Sequence, residues 1–228
     1  MQRALCLCIV TALLWGITLY QEQRYQSLIA SKGVTEERWI LIEVDLKRLT
    51  LYEGTDVVKR YAIASGAWKT PSPLGVFTIS GRFKTEMSGF GTRFLKLSVP
   101  YGLYGIHGTN KPESIGSNAS HGCFRLRTAD AEELYDLVPN GTKVYIESGA
   151  YGALGDGLRT LGSGDRNSHV QEVQKRLSQQ GFYQGTADGI YGDETSNAVR
   201  KARKAFGLTD QDIVDAALYS RLGIVLFE

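Results

Sequence analysis

The apolar pattern of this chain changes period once, and the change falls at a run of glycines. Ahead of the glycines the pattern is that of strands. Ile40, Ile42, Val44 and Leu46 alternate with Leu41, Glu43 and Asp45, so one face is apolar and the other partly so. Asp45 to Arg48 reads as a turn into Leu49-Thr50-Leu51-Tyr52, and Glu53-Gly54-Thr55-Asp56 as a second turn before Val57 to Ala64. Pro71-Ser72-Pro73-Leu74-Gly75 interrupts the pattern, and Val76 to Ser80, Phe94 to Val99, Leu103 to His107 and Thr142 to Ile146 resume it. One helix is predicted within this stretch, with Thr128 as its N-cap. Asp130, Glu132 and Glu133 would occupy its first turns, with Leu134, Leu137 and Val138 on one face, and Pro139-Asn140-Gly141 stops it. Short strands between closely spaced turns predict a mainly β domain, antiparallel or mixed, over residues 38–148.

Gly149, Gly152, Gly155 and Gly157 punctuate a linker at 149–160, and beyond it the spacing becomes helical. Ser168-His169-Val170-Gln171 reads as a capping box, followed by Val170, Val173 and Leu177 on one face until Gly181. A second helix is expected from near Thr195 to Phe206, and Ile213, Val214, Ala217, Leu218 and Leu222 suggest a third. His169, beside the first cap, reads as a solvated surface residue. Residues 161–228 are thus predicted to be a small all-α three-helix module, the size of a binding unit rather than of an enzyme.

The N-terminus predicts export. Arg3 precedes an uncharged apolar run from Ala4 to Tyr20, at the lower limit for a membrane span and longer than the usual signal-peptide core. No small-residue cleavage site follows it. Residues 1–37 are therefore expected to be a retained membrane anchor and polar spacer, with a cleaved signal as the alternative. A formal net charge of +2 gives no footprint for a nucleic-acid partner.

Within an exported chain Cys123 stands out. The other cysteines, Cys6 and Cys8, lie in the apolar leader, so Cys123 belongs to no disulfide framework. It sits in Ser120-His121-Gly122-Cys123-Phe124-Arg125, with Gly105-Ile106-His107-Gly108 upstream. A lone cysteine is often a small buried hydrophobe. Beside two histidines it is instead a candidate nucleophile, because the thiolate that attacks an acyl carbon needs a base or a cation nearby. Gly122 lets the backbone approach a substrate, amides near Cys123 are suited to an oxyanion, and Arg125 suits a substrate carboxylate. Spacing does not choose between His107 and His121 as the base. A zinc site of His107, His121 and Cys123 is the weaker reading, since it crowds two ligands into three residues and has no second thiolate.

These motifs resemble the L,D-transpeptidases of the YkuD type. The resemblance runs through Thr70-Pro71-Ser72-Pro73-Leu74-Gly75-Val76-Phe77, His107-Gly108, Ser120-His121-Gly122-Cys123-Phe124-Arg125 and Leu137-Val138-Pro139-Asn140-Gly141-Thr142, about residues 38–148. It implies a β-sandwich or barrel with one or two helices, no cofactor, and Cys123 as nucleophile with His107 as its base. Gly108, Ser120, His121, Gly122 and Arg125 would shape the substrate and oxyanion site. The implied substrate is peptidoglycan: a thioester formed on a tetrapeptide stem is resolved by an amine of a second stem. Hydrolysis of the same thioester, or wall binding without catalysis, are the alternatives. A sortase-like reading lacks its Thr-Leu-x-Thr-Cys motif.

The C-terminal stretch resembles a three-helix peptidoglycan-binding domain through Val170, Val173, Gln174, Leu177, Gly181-Phe182-Tyr183, Gly185, Asp188-Gly189-Ile190-Tyr191-Gly192, Thr195 and Ala198-Val199. It departs from that pattern at Ala202, Arg203 and Gln211-Asp212. Together the two likenesses imply an extracytoplasmic wall enzyme, anchored to the membrane or secreted.

Overall fold

The computed structural model describes residues 38–85, 89–149, 154–155 and 157–225. The expected anchor at 1–37 lies outside them. No helix among the described residues is long and apolar enough to cross a membrane.

In chain order the first strands are β1 (Arg38–Glu43), β2 (Arg48–Glu53), β3 (Asp56–Ala62), β4 (Ser65–Gly66), β5 (Gly75–Lys84) and β6 (Arg93–Leu97). They are followed by β7 (Gly105–Thr109), β8 (Asn118–Ser120), β9 (Phe124–Arg127), helix α1 (Thr128–Leu137) and β10 (Lys143–Glu147). Eight of these strands form one mixed sheet in the order β3-β2-β1-β10-β5-β6-β7-β9. β1 pairs with β10, and β7 with β9, in parallel; the other pairs are antiparallel. Ala64, just past β3, exchanges two backbone hydrogen bonds of 2.9 Å with Arg125 of β9. The two ends of the sheet thereby meet, and the sheet is nearly closed into a barrel.

Alternation explains the arrangement. Ile40, Ile42, Leu49 and Leu51 point into the main core with Ile106, Phe124 and Leu126. Burial of each such side chain contributes about 1.5–3 kcal/mol. The apolar second face of β1 is also used: Trp39 and Leu41 join Tyr52 in a smaller cluster, with Trp39 stacked on Tyr52 at 4.2 Å. Helix α1 covers β6 and β7 and buries Ala131 and Leu134. Its N-cap is Arg127 rather than Thr128, which is already helical. The Thr128 hydroxyl instead donates to the Thr109 carbonyl at 3.2 Å, tying the helix to β7.

A second core follows, built on β11 (Leu161–Gly162), α2 (Ser168–Gln179), α3 (Asp193–Ala205), β12 (Ile213–Val214) and α4 (Ala216–Arg221). Ile213 and Val214 are thus not helical as expected; they pair antiparallel with Gly162 and Leu161. Asp215 then caps α4 by accepting from the Leu218 amide at 3.0 Å. The cap of α2 is also displaced. Asn167 accepts from the Val170 amide at 3.0 Å, while the Ser168 hydroxyl turns to the main core.

The positions where the second likeness weakens are structural here. Arg203 is buried, donates to the carbonyls of Thr209 and Ile213, and pairs with Asp215 at 3.0 Å. Asp212 accepts from the Tyr191 hydroxyl at 3.0 Å. Buried Gln174 organises the Asp188-Gly189-Ile190 turn: its amide nitrogen donates to Asp188 Oδ1 (2.9 Å) and the Ile190 carbonyl (3.1 Å), and its carbonyl accepts from the Gly189 amide (2.7 Å).

The two cores are docked. Ser168 Oγ accepts from the Leu74 amide at 2.6 Å and lies 2.9 Å from the Tyr101 hydroxyl. Gly189, with φ of +74°, lies flat against the Tyr101 ring, where a β-carbon would overlap it. His169 is buried at 7% exposure with Nε2 3.0 Å from the Gly157 carbonyl, which corrects its reading as a surface residue. The helix that places it turns its ring toward the connecting segment instead of toward solvent.

Candidate active site

Sheet register brings the sequence-predicted residues together. His107 pairs with Arg125, and Ile106 with Phe124, across the parallel β7–β9 ladder. Paired residues of a ladder project from one face, so His107 and Arg125 share theirs, opposite the core-facing Ile106, Phe124 and Leu126. Cys123 immediately precedes β9, and the Gly105 backbone and the Arg125 charge both act on its thiol.

His107 is 3% exposed. Its ring lies edge-on to Phe90 and stacked with Phe94, at 4.8 and 5.8 Å between centroids. Nδ1 is 2.5 Å from the Gly108 carbonyl. A carbonyl can only accept, so Nδ1 carries the proton and Nε2 is left with a free lone pair. Burial holds the imidazole below its ordinary value; the Gly108 bond opposes this, and the Arg125 charge reinforces it. The Cys123 thiol is half-buried and pushed up by burial, against the lowering action of the Gly105 backbone and Arg125. Burial thus favours the uncharged form of both groups, thiol and imidazole. Arg125 favours the reactive form of both, thiolate and neutral imidazole.

The turn that carries Cys123 is fixed by Ser120. Its buried hydroxyl donates to the Cys123 carbonyl at 2.5 Å and accepts from the Gly122 amide at 3.0 Å. The Ser120 carbonyl accepts from the Ala67 amide (2.9 Å) and the Thr70 hydroxyl (3.1 Å), joining the turn to the Thr70–Leu74 stretch. Gly122 has φ of +112°, and a β-carbon there would stand 2.6 Å from the Tyr104 ring. Both the backbone conformation and the close approach demand glycine. Gly122 thus keeps its amide inside the turn.

Gly108 orients His107 through its carbonyl and packs closely on Gly91 and Thr128. His121 is exposed and lines a cleft whose lining does not include His107. Tyr104 packs over Gly122 and lines that cleft, whereas Asn110 does not. Phe90 and Phe94, which fix the imidazole, carry no local motif; only the pairing of Phe94 with His107 identifies one of them.

Residues 37–146 match the model of the YkuD family, described as the L,D-transpeptidase catalytic domain. The match takes in a little under half of the chain. Residues 166–222 match a second family model, described as "Putative peptidoglycan binding domain". A Bacillus licheniformis protein named "Putative L,D-transpeptidase YkuD" is 44% identical over 107 residues, covering 47% of this chain and 64% of that protein. A Salmonella typhimurium protein named "Probable L,D-transpeptidase ErfK/SrfK" is 54% identical over 164 residues, covering 58% and 52%. The chain therefore spans less than two thirds of the length of either relative. Among solved structures, the catalytic domain of the E. faecium L,D-transpeptidase is 23% identical with a TM-score of 0.43, covering 49% of this chain and 98% of that one.

Proposed function

We propose that this chain is a peptidoglycan L,D-transpeptidase of the YkuD family that works through a thioester on Cys123. The observation that supports this most is the pairing of His107 with Arg125 on the ladder that Cys123 directly precedes, within the matched catalytic domain. In this reading His107 Nε2 takes the Cys123 proton as the sulfur attacks the carbonyl carbon at the L-centre of the stem's diamino acid. The tetrahedral intermediate collapses, and the departing D-alanine amine takes the proton from His107. An amine of a second stem then attacks the thioester, His107 accepts its proton, and the thiol is restored as the new amide forms. The directions of the two shifts suit this order, since burial favours the uncharged forms and proton transfer then accompanies attack.

The helical unit is assigned wall binding, and the segment at 1–37 either membrane anchorage or secretion, which together place the enzyme outside the cytoplasm. Incubating the protein with a tetrapeptide stem, with and without an amine acceptor, tests the activity by mass spectrometry. Cross-linked dimer that disappears in Cys123→Ala is expected. Tripeptide alone at saturating acceptor would instead make the protein a carboxypeptidase, and intact stem with no acyl-enzyme would remove catalysis altogether.

A further inference from the structure

Between the two cores lies a cleft of about 850 Å³. One wall comes from the sheet unit: Trp68, Lys69, Tyr104 and His121, the last two residues ahead of Cys123. The other comes from the connecting segment and the start of the helical unit, including Arg159 and Arg166. Neither unit encloses the space alone. The walls are held apart at a fixed distance by the Ser168 contacts to Leu74 and Tyr101 and by the seat of Gly189 on Tyr101.

The lining is strongly one-sided in charge. Lys47, Lys69, Arg159 and Arg166 face it, against Asp45 as the single acidic residue lining it among the described residues. The whole chain is nearly balanced at +2, so this asymmetry is local. Arg159 and Arg166 join no ion pair among the described residues, unlike Arg176, Arg200 and Arg203 of the same unit. The Arg159 guanidinium instead lies 5.1 Å from the centroid of Trp68, whose ring is 81% exposed. A large aromatic kept in solvent beside the Arg159 guanidinium, with Arg166 lining the same cleft, makes an amphipathic platform: apolar chain segments lie on the ring, and carboxylates meet the planar cations.

We infer that this cleft binds a peptide bearing free carboxylates, and that Arg159 and Arg166 complete a substrate-binding surface which the sheet unit only half provides. The inference rests on the function proposed above, with the stem peptide as ligand. It assigns to the helical unit a direct share in selecting the peptide delivered to Cys123, beyond holding the enzyme on its polymer. Tyr104 connects the two places, packing over Gly122 on one side and lining the cleft on the other. Because the walls are already docked, little ordering is needed when the peptide enters.

The test uses the full chain carrying Cys123→Ala, so that bound peptide is not consumed. Titration calorimetry compares a tetrapeptide stem with free carboxylates against the same peptide with every carboxylate as carboxamide. The acid form is expected to bind about tenfold more tightly at low salt, with the difference shrinking as salt rises. The double variant Arg159→Gln/Arg166→Gln should bind both forms alike, Arg159→Lys/Arg166→Lys should retain most of the preference, and Trp68→Ala should weaken both forms. An unchanged dissociation constant and unchanged preference in the Gln pair, or no binding of the acid peptide at all, overturns the inference. The two readings fail separately. Acyl-enzyme formation by the otherwise wild-type chain judges the catalytic assignment, whatever the arginine variants do to binding.

Discussion

Ser120→Ala isolates the turn that presents the thiol. The wild-type hydroxyl is buried and makes two hydrogen bonds, one to the Cys123 carbonyl and one from the Gly122 amide. Each contributes about 1 kcal/mol net, and stranding the buried Gly122 N–H adds about 1–3 kcal/mol. Gly122 cannot turn that group toward solvent, because its φ of +112° and the Tyr104 ring hold the backbone where it is. The expected loss is about 3–5 kcal/mol, or about 12–20 °C in the melting temperature of a unit this size. The loss extends to reactivity: a thiol displaced by about 1 Å should acylate about a hundredfold more slowly. Thermal unfolding of the variant, paired with the rate of covalent capture of Cys123 by a carbapenem followed by intact mass, measures both. A variant that melts within about 2 °C of wild type and acylates at the same rate would refute the reasoning, since the hydroxyl would then be holding nothing.

Three further outcomes follow from other parts of the molecule. Burial lowers the His107 value from 6.5, so the neutral base persists to lower pH than a free imidazole, and the acid limb of acylation should fall below 6.5 and vanish in His107→Gln. The same sign applies to stability. Below 6.5 the unfolded chain takes up protons that folded His107 and His169 refuse, so stability present above that pH is lost as pH falls, which denaturant midpoints at neutral and mildly acidic pH would reveal. Gln174→Leu leaves the Gly189 amide and Asp188 without their partner and should cost about 2–4 kcal/mol, with melting of the helical unit as the readout.

The strands were legible because their side chains alternate between two environments, and β1 even announced both of its apolar faces. The site was legible through the Ser120–Arg125 motif and His107, whose register the parallel ladder then explains. Caps were misread by one residue in two helices for a common reason. The hydroxyls of Thr128 and Ser168 have partners distant in sequence, Thr109 and Leu74, so a local rule assigned them a local role. His169 was misread similarly, since a ring beside a helix start looks exposed until the connecting segment folds over it. The charged cleft was not legible at all, because Arg159 and Trp68 lie far apart in the chain and meet only through docking of the cores.

The bridge between Ala64 and Arg125 has a consequence for motion. The strand that follows Cys123 sits at the end of the sheet, where ladders ordinarily fray, yet Arg125 is hydrogen-bonded on both flanks, to β7 and to Ala64. Opening it requires the barrel itself to part. Amide exchange at Arg125 should therefore report whole-unit unfolding rather than local breathing. The thiol is carried on a girder rather than a flap.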